Sequence, residues 1–152
     1  MRYKNIDEIL AWTGRFHTEL AQHCQQLARQ HDRQRLEMLL SYLAEHQRRL
    51  AEMLAQIRED SEPGIRYTWF DKAPDIPGPE SLPELGELIR GDSVDAIAAA
   101  ALKFHDGIIE IYNELREQAP TDRTRQLFEN LADLEHHEAL KLVRGAQGLN
   151  DM

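Results

Sequence analysis

Residues from about 9 to 54 repeat at about 97 to 142 with one constant offset and no gap. Phe16-His17 matches Phe104-His105, Leu20 matches Ile108, and Leu27 matches Leu115. Further along, Leu39-Leu40 matches Leu127-Phe128, Leu43-Ala44-Glu45 matches Leu131-Ala132-Asp133, and Leu54 matches Leu142. The offset is 88 at every one of these pairs. A fixed offset keeps the apolar register, so a face buried in one half is buried in the other. Such a chain is expected to fold as two copies of one helical hairpin.

Within each copy the apolar spacing is that of amphipathic helices. A first helix is expected over about 5–29, with Ile6, Ile9, Leu10, Thr13, Phe16, His17, Leu20, Cys24 and Leu27 on one face. A second over about 33–58, capped by Asp32, carries Leu36, Leu39, Leu40, Leu43, Gln47, Leu50, Leu54 and Ile57. The third, over about 93–118, starts at Asp92 or Ser93 and presents Ile97, Ala101, Phe104, Ile108, Ile111, Tyr112 and Leu115, with His105 on the flank facing inward. The fourth runs from a Thr121 cap over about 121–144, with Gly145 as the residue that ends it. The short breaks after the first and third helices make each pair antiparallel neighbours.

Between the hairpins, about 60–92, Pro63-Gly64, Pro74, Pro77-Gly78-Pro79 and Pro83 prevent a long helix. Tyr67, Trp69 and Phe70 are expected to pin this connection to the bundle, and Leu82 to Ile89 to form a short helix ended by Gly91. A connection of this length can cross a four-helix bundle from end to end. The expected architecture is therefore all-α: one domain, an antiparallel four-helix bundle with a long crossover between helices two and three.

Composition narrows the function classes. The 152 residues carry a formal charge of −9 without a local basic cluster, which argues against a nucleic-acid or anionic-membrane surface. Cys24 is the single cysteine, so no internal disulfide forms, as suits a reducing compartment. Met1 to Asp7 carry no signal-type apolar region, and no apolar run approaches ~18 residues. The expectation is a cytoplasmic protein.

The informative residues are the polar ones on apolar faces. Glu135 and Glu138 lie on the same face as Leu127, Leu131, Leu134 and Leu142, where an unpaired charge costs several kcal/mol. His17, Gln47 and His105 intrude on the other three faces. At ~1.5 Å per residue, the two histidines lie about 21 Å from their hairpin turns, and Gln47 and Glu135 about 24 Å. All five should meet in one mid-bundle layer. Imidazole and carboxylate are the usual nitrogen and oxygen ligands of zinc, iron or manganese. Equally, two carboxylates neutralised by protons or by imidazolium would make a buried polar network with no metal. His136-His137 points outward as a solvated face. His23, His31 and His46 read as surface or edge residues, and Cys24 as a small core residue.

At these residues a resemblance enters. Leu43-Ala44-Glu45-His46-Gln47-Arg48-Arg49-Leu50 and Leu131-Ala132-Asp133-Leu134-Glu135-His136-His137-Glu138 resemble the second and fourth helices of the ferritin-like superfamily, nearest to rubrerythrins. Phe104 to Tyr112 resembles the third. The family pattern is Leu-Ala-x-x-Glu-x-x-His on helices two and four, with one further Glu on each of helices one and three. Here Glu135 alone stands where the family has its Glu. His17 and His105 take the other helices' Glu positions, Gln47 and Leu50 replace the second-helix pair, and Glu138 replaces the fourth-helix His. The resemblance implies a metal-binding bundle. The altered set implies one divalent ion (Fe, Zn or Mn) held by His17, His105, Glu135 and Glu138, with Gln47 a weak or indirect ligand. It also implies redox chemistry if the protein is an enzyme, and a homodimer. The alternative reading is a metal-free ferritin-like scaffold that works by protein association.

Overall fold

The computed structural model describes residues 5–70 and 83–151, the side chains of 83–85 excepted. Four long helices carry the fold: α1 (Ile6–Gln30), α2 (Gln34–Asp60), α5 (Val94–Gln118) and α6 (Asp122–Asn150). Two short ones, α3 (Pro63–Arg66) and α4 (Pro83–Arg90), lie in the connection. Leu82 and the prolines from Pro74 to Pro79, expected to shape that connection, lie outside the described residues.

The helix starts follow local chemistry. The Asn5 side chain caps α1 by accepting from the Glu8 N–H at 2.8 Å. Ser93 caps α5 by accepting from the Ala96 N–H at 3.1 Å, which decides between Asp92 and Ser93. Thr121 caps α6 in a reciprocal box with Thr124. The expected Asp32 cap is not made. The N-cap of α2 is Arg33, without a side-chain cap bond, so Asp32 lies one residue outside the position from which it could reach the first turn.

Gly145 does not end the fourth helix, which continues to Asn150. Its backbone is not left-handed. A Cβ on Gly145 would lie 2.9 Å from ring carbons of Tyr42, whose hydroxyl donates to the Lys141 carbonyl at 3.1 Å. The glycine serves the close approach of α2 to α6 rather than termination.

Ion pairs and hydrogen bonds at the two ends fix the topology. At one end Arg123, at the start of α6, meets Glu62, just after α2, at 2.6 Å. At the other, Arg33 in the α1–α2 turn donates to the Asp92 carbonyl at 2.7 Å, and Asn150 to Asp95 at 2.7 Å. The chain therefore leaves α2 at one end and enters α5 at the other. A 27-residue helix is about 40 Å long, and the connection spans that length. α1 and α2 pack as one antiparallel pair and α5 and α6 as the other. The result is an antiparallel bundle with a crossover between its second and third long helices.

Residues related by the 88-residue offset meet each other at the centre. The rings of Phe16 and Phe104 pack edge-on at 6.0 Å, and those of His17 and His105 lie 6.3 Å apart. Contacts between equivalent residues are what an approximate two-fold relation between the hairpins gives to side chains near its axis. Around them Ile9, Leu39, Leu40, Leu50, Ile97, Leu115 and Phe128 are fully buried, each contributing about 1.5–3 kcal/mol. Phe70 pins the connection as expected, buried against Phe128 with centroids 5.7 Å apart. Tyr67 and Trp69 do not: they are 53% and 56% exposed. The Trp69 backbone instead bridges Asn5, beside a hydrogen bond from the Ile6 N–H to the Thr68 carbonyl at 3.0 Å. Asp7, clasped by Arg58 and Arg66 at 2.8 Å each, ties the start of α1 to the same region. No helix among the described residues is long and apolar enough to cross a membrane.

Candidate functional site: a closed polar ring in the bundle core

Each long helix contributes one side chain to a buried ring. His17 comes from α1, Gln47 from α2, His105 from α5 and Glu135 from α6, and none is more than 3% exposed. His17 Nε2 meets Glu135 Oε1 at 2.6 Å, and His105 Nδ1 meets Glu135 Oε2 at 2.8 Å. Gln47 closes the ring, with Oε1 against His17 Nδ1 and Nε2 3.2 Å from His105 Nε2.

The ring obeys the two-fold relation. Each histidine uses Nδ1 for the residue 30 positions on in its own hairpin. Each uses Nε2 for the equivalent residue of the other hairpin.

The bonding pattern sets the proton inventory. An ionised carboxylate only accepts, so Glu135 takes N–H donors from both imidazoles. Gln47 offers one acceptor and one donor. Its amide donates to His105 Nε2, which leaves His105 neutral, and its carbonyl accepts from His17 Nδ1, which makes His17 the imidazolium. Burial disfavours charge on His17, but the Glu135 carboxylate and the bonds to Glu135 and Gln47 outweigh it and raise its pKa. Burial also opposes charge on Glu135, and the two histidines overcome it, pulling the carboxyl down to about 2. The ring is thus an ion pair with a neutral imidazole and an amide, and every ring atom has a partner. A glutamate at 47 would have made it fully symmetric, so Gln47 is where the two halves differ by one charge.

Glu138 departs from the expected set. It is buried, at 5% exposure, one turn beyond Glu135. Its oxygens bond to His46 Nδ1 at 2.9 Å and Lys141 Nζ at 3.2 Å, not to the ring histidines. Its repeat equivalent is Leu50, so the two-fold relation provides no polar partner within the bundle. The carboxylate turns outward, although its charge still acts on His17. His46 was expected at the surface or edge. Its ring packs edge-on against Tyr42 at 4.2 Å, and its side chain is 17% exposed.

Tyr112 is fully buried, and its hydroxyl makes no close hydrogen bond, the Thr13 side chain being its one weak polar neighbour. The nearby Thr13 hydroxyl donates to the Ile9 carbonyl at 2.7 Å. Burial, and then the charge of Glu135, push the Tyr112 phenol well above its ordinary range. His136 and His137 are exposed, and Cys24 is a buried thiol pushed up to about 12 by desolvation.

Among the described residues, no group of three or more His, Cys, Asp or Glu is arranged as a metal-holding cluster. The reason is visible in the ring: the two imidazoles straddle the Glu135 carboxylate, one on each oxygen, instead of facing a common point.

Four long helices in two antiparallel pairs, with an end-to-end crossover and polar residues at mid-depth, make up the bundle. A solved structure from Thermotoga maritima, described as that of a candidate ferritin-like diiron-carboxylate protein, matches this fold with a TM-score of 0.59. The match covers 97% of each chain at 15% identity. No family model matches the sequence, and no curated protein does.

Proposed function

We propose that the chain is a metal-binding ferritin-like protein that holds one divalent ion, Fe, Zn or Mn, at the buried ring. The observation that carries this reading is the donor set itself. Two imidazoles and one carboxylate, from three different helices, lie within 2.6–2.8 Å contacts at the centre of the bundle. Two histidines with one carboxylate form a recurrent ligand set for zinc and for non-haem iron. The description of the Thermotoga maritima neighbour as a candidate diiron-carboxylate protein supports metal binding in a bundle of this fold.

His17, His105 and Glu135 are the ligands in this reading, Gln47 is a weak ligand or a hydrogen-bond partner of one, and Glu138 stands outside the set. Binding requires the ring to open, since its donors now spend their protons on one another. A bound iron ion would supply one-electron redox chemistry, and other metals Lewis acidity. Two bridged metals are not proposed, because Gln47 and Leu50 remove the second carboxylate and its neighbouring ligand.

A second reading is favoured by one specific observation, the complete satisfaction of the ring by its own protons. A ferritin-like scaffold stabilised by that ion pair would need no metal. Elemental analysis of untagged protein, before and after reconstitution with Fe²⁺, Mn²⁺ or Zn²⁺, separates the two. The metal reading expects about one ion per chain, lost in His105→Ala. Retention of the same ion by His105→Ala would place it elsewhere, and no ion in any preparation would favour the scaffold.

A further inference from the structure

α2 and α6 occupy equivalent places in the repeat, yet their outer surfaces differ. On α2 the charges are answered within the helix. Glu45 pairs with Arg48 at 2.9 Å and Arg49 at 3.6 Å, and Gln56 donates to Asp60 at 2.9 Å. Glu52 and Ala55 lie between them. At the 88-residue offset, Asp133 stands for Glu45, His136 and His137 for the two arginines, and Leu140 for Glu52. Val143 stands for Ala55, Arg144 for Gln56 and Gly148 for Asp60. The exchanges remove internal partners and add apolar surface.

Leu140 is 43% exposed and Val143 38%. A lone exposed leucine is ordinary, but this one lies between two exposed charges, Asp133 and Arg144. Neither has an ion pair or a side-chain hydrogen bond among the described residues. Asp133, His137, Leu140 and Arg144 follow one another at intervals of four, three and four residues, so they form one row along the outside of α6. At ~1.5 Å per residue the row is about 16 Å long, with an acid at one end and a base at the other.

We propose that this row is a self-association surface, and that its partner is a second copy of the chain, packed antiparallel across a two-fold axis level with Glu138 and Ala139. The charge order is what selects that partner. Turned end for end, the row is complementary to itself: each Arg144 meets the other copy's Asp133, and each Leu140 meets the other copy's His137. A parallel arrangement would set like charges together. Exposed ion pairs contribute little affinity, so Leu140 and Val143 supply the attraction and the charges set the orientation. A two-fold contact uses the same patch on both copies and closes at a dimer. The surface lies outside the ring, so the proposal stands apart from the metal reading.

The test is sedimentation equilibrium of the full chain over a range of concentrations, in chelator. Salt is held at ~0.15 M, which screens the repulsion between two copies of charge −9. The unaltered protein should pass from monomer to dimer as concentration rises. Leu140→Glu, which installs the residue the other repeat carries at Glu52, should weaken the dimer by about tenfold or more. Asp133→Arg and Arg144→Asp should each weaken it, and the two together should restore it, since the swap rebuilds both pairs. All these positions are exposed, and circular dichroism checks that the variants fold. A protein monomeric at every concentration overturns the proposal, whatever the variants do. A dimer unaffected by Leu140→Glu uses another face and also overturns it. A double swap no tighter than the single variants overturns the antiparallel pairing.

Discussion

His17 and His105 hold one carboxylate from opposite sides and through different ring nitrogens, His17 through Nε2 at 2.6 Å and His105 through Nδ1 at 2.8 Å. The difference is what the two-fold relation between the hairpins demands, since Glu135 belongs to the hairpin of His105 and not to that of His17. It makes Glu135 the residue on which both halves of the bundle converge. Replacing it by leucine leaves an imidazolium and a neutral imidazole without their shared acceptor. Breaking one partner of a buried pair costs about 3–5 kcal/mol. At ~2–4 °C per kcal/mol for a domain of this size, thermal melts in chelator should fall by about 6–20 °C.

The ion pair sets a pH profile for the metal-free protein. Glu135 has a folded pKa of about 2, below its unfolded value. Its contribution is complete above the ordinary carboxylate range and is lost as pH falls towards 2. His17 is shifted upwards, so its contribution is complete below its unfolded pKa of about 6.5 and is lost as pH rises through the folded value. Urea midpoints should therefore peak in the mildly acidic range and decline on both sides. A stability that kept rising from pH ~6 to ~9 would contradict the assignment of His17 as the imidazolium.

Two glycines of α6 should respond oppositely to alanine. At Gly148 nothing lies within 4 Å of an added Cβ, so Gly148→Ala should gain about 0.5–1 kcal/mol of helix propensity. At Gly145 the new methyl would meet the Tyr42 ring at 2.9 Å, and overpacking of this kind costs about 1–3 kcal/mol. Denaturant melts of the two variants check both the α2–α6 approach and the continuation of the helix past Gly145. A stabilising Gly145→Ala would show that Tyr42 yields easily.

Metal binding should be linked to protons. His17 enters as an imidazolium with both nitrogens protonated, and it must give one up before it can bind an ion. Titration calorimetry in buffers of different ionisation enthalpy should show about one proton released per ion near neutral pH. Release of none would mean that His17 is not a ligand.

Much of this was legible in the repeat. A constant offset fixed which faces are buried, and with them the depth at which His17, Gln47, His105 and Glu135 meet. Periodicity does not say how a side chain turns once it arrives. Glu138 shares the buried face of α6, but its equivalent Leu50 offers no hydrogen bond, so it reaches His46 on α2. His46 lies at the edge of its own stripe, and only the approach of α6 encloses it. The end of α6 is not legible at Gly145, because a glycine there suits a helix terminus as well as a close helix contact, and only Tyr42 distinguishes the two. Trp69 looked like core because it is aromatic, but its backbone, not its ring, makes the contact with Asn5.

The most direct test of a metal ion at the ring is a set of thermal melts with chelator and with Zn²⁺, Mn²⁺ or Fe²⁺, on the unaltered protein and on Glu135→Gln. At about 100 times its dissociation constant, a bound ion adds ~2.7 kcal/mol. For this chain length, that raises the melting temperature by about 5–10 °C. The account predicts that shift in the unaltered protein and its loss in Glu135→Gln, which keeps the shape and removes the charged ligand. No shift with any of the three metals, or the same shift in both proteins, would contradict it.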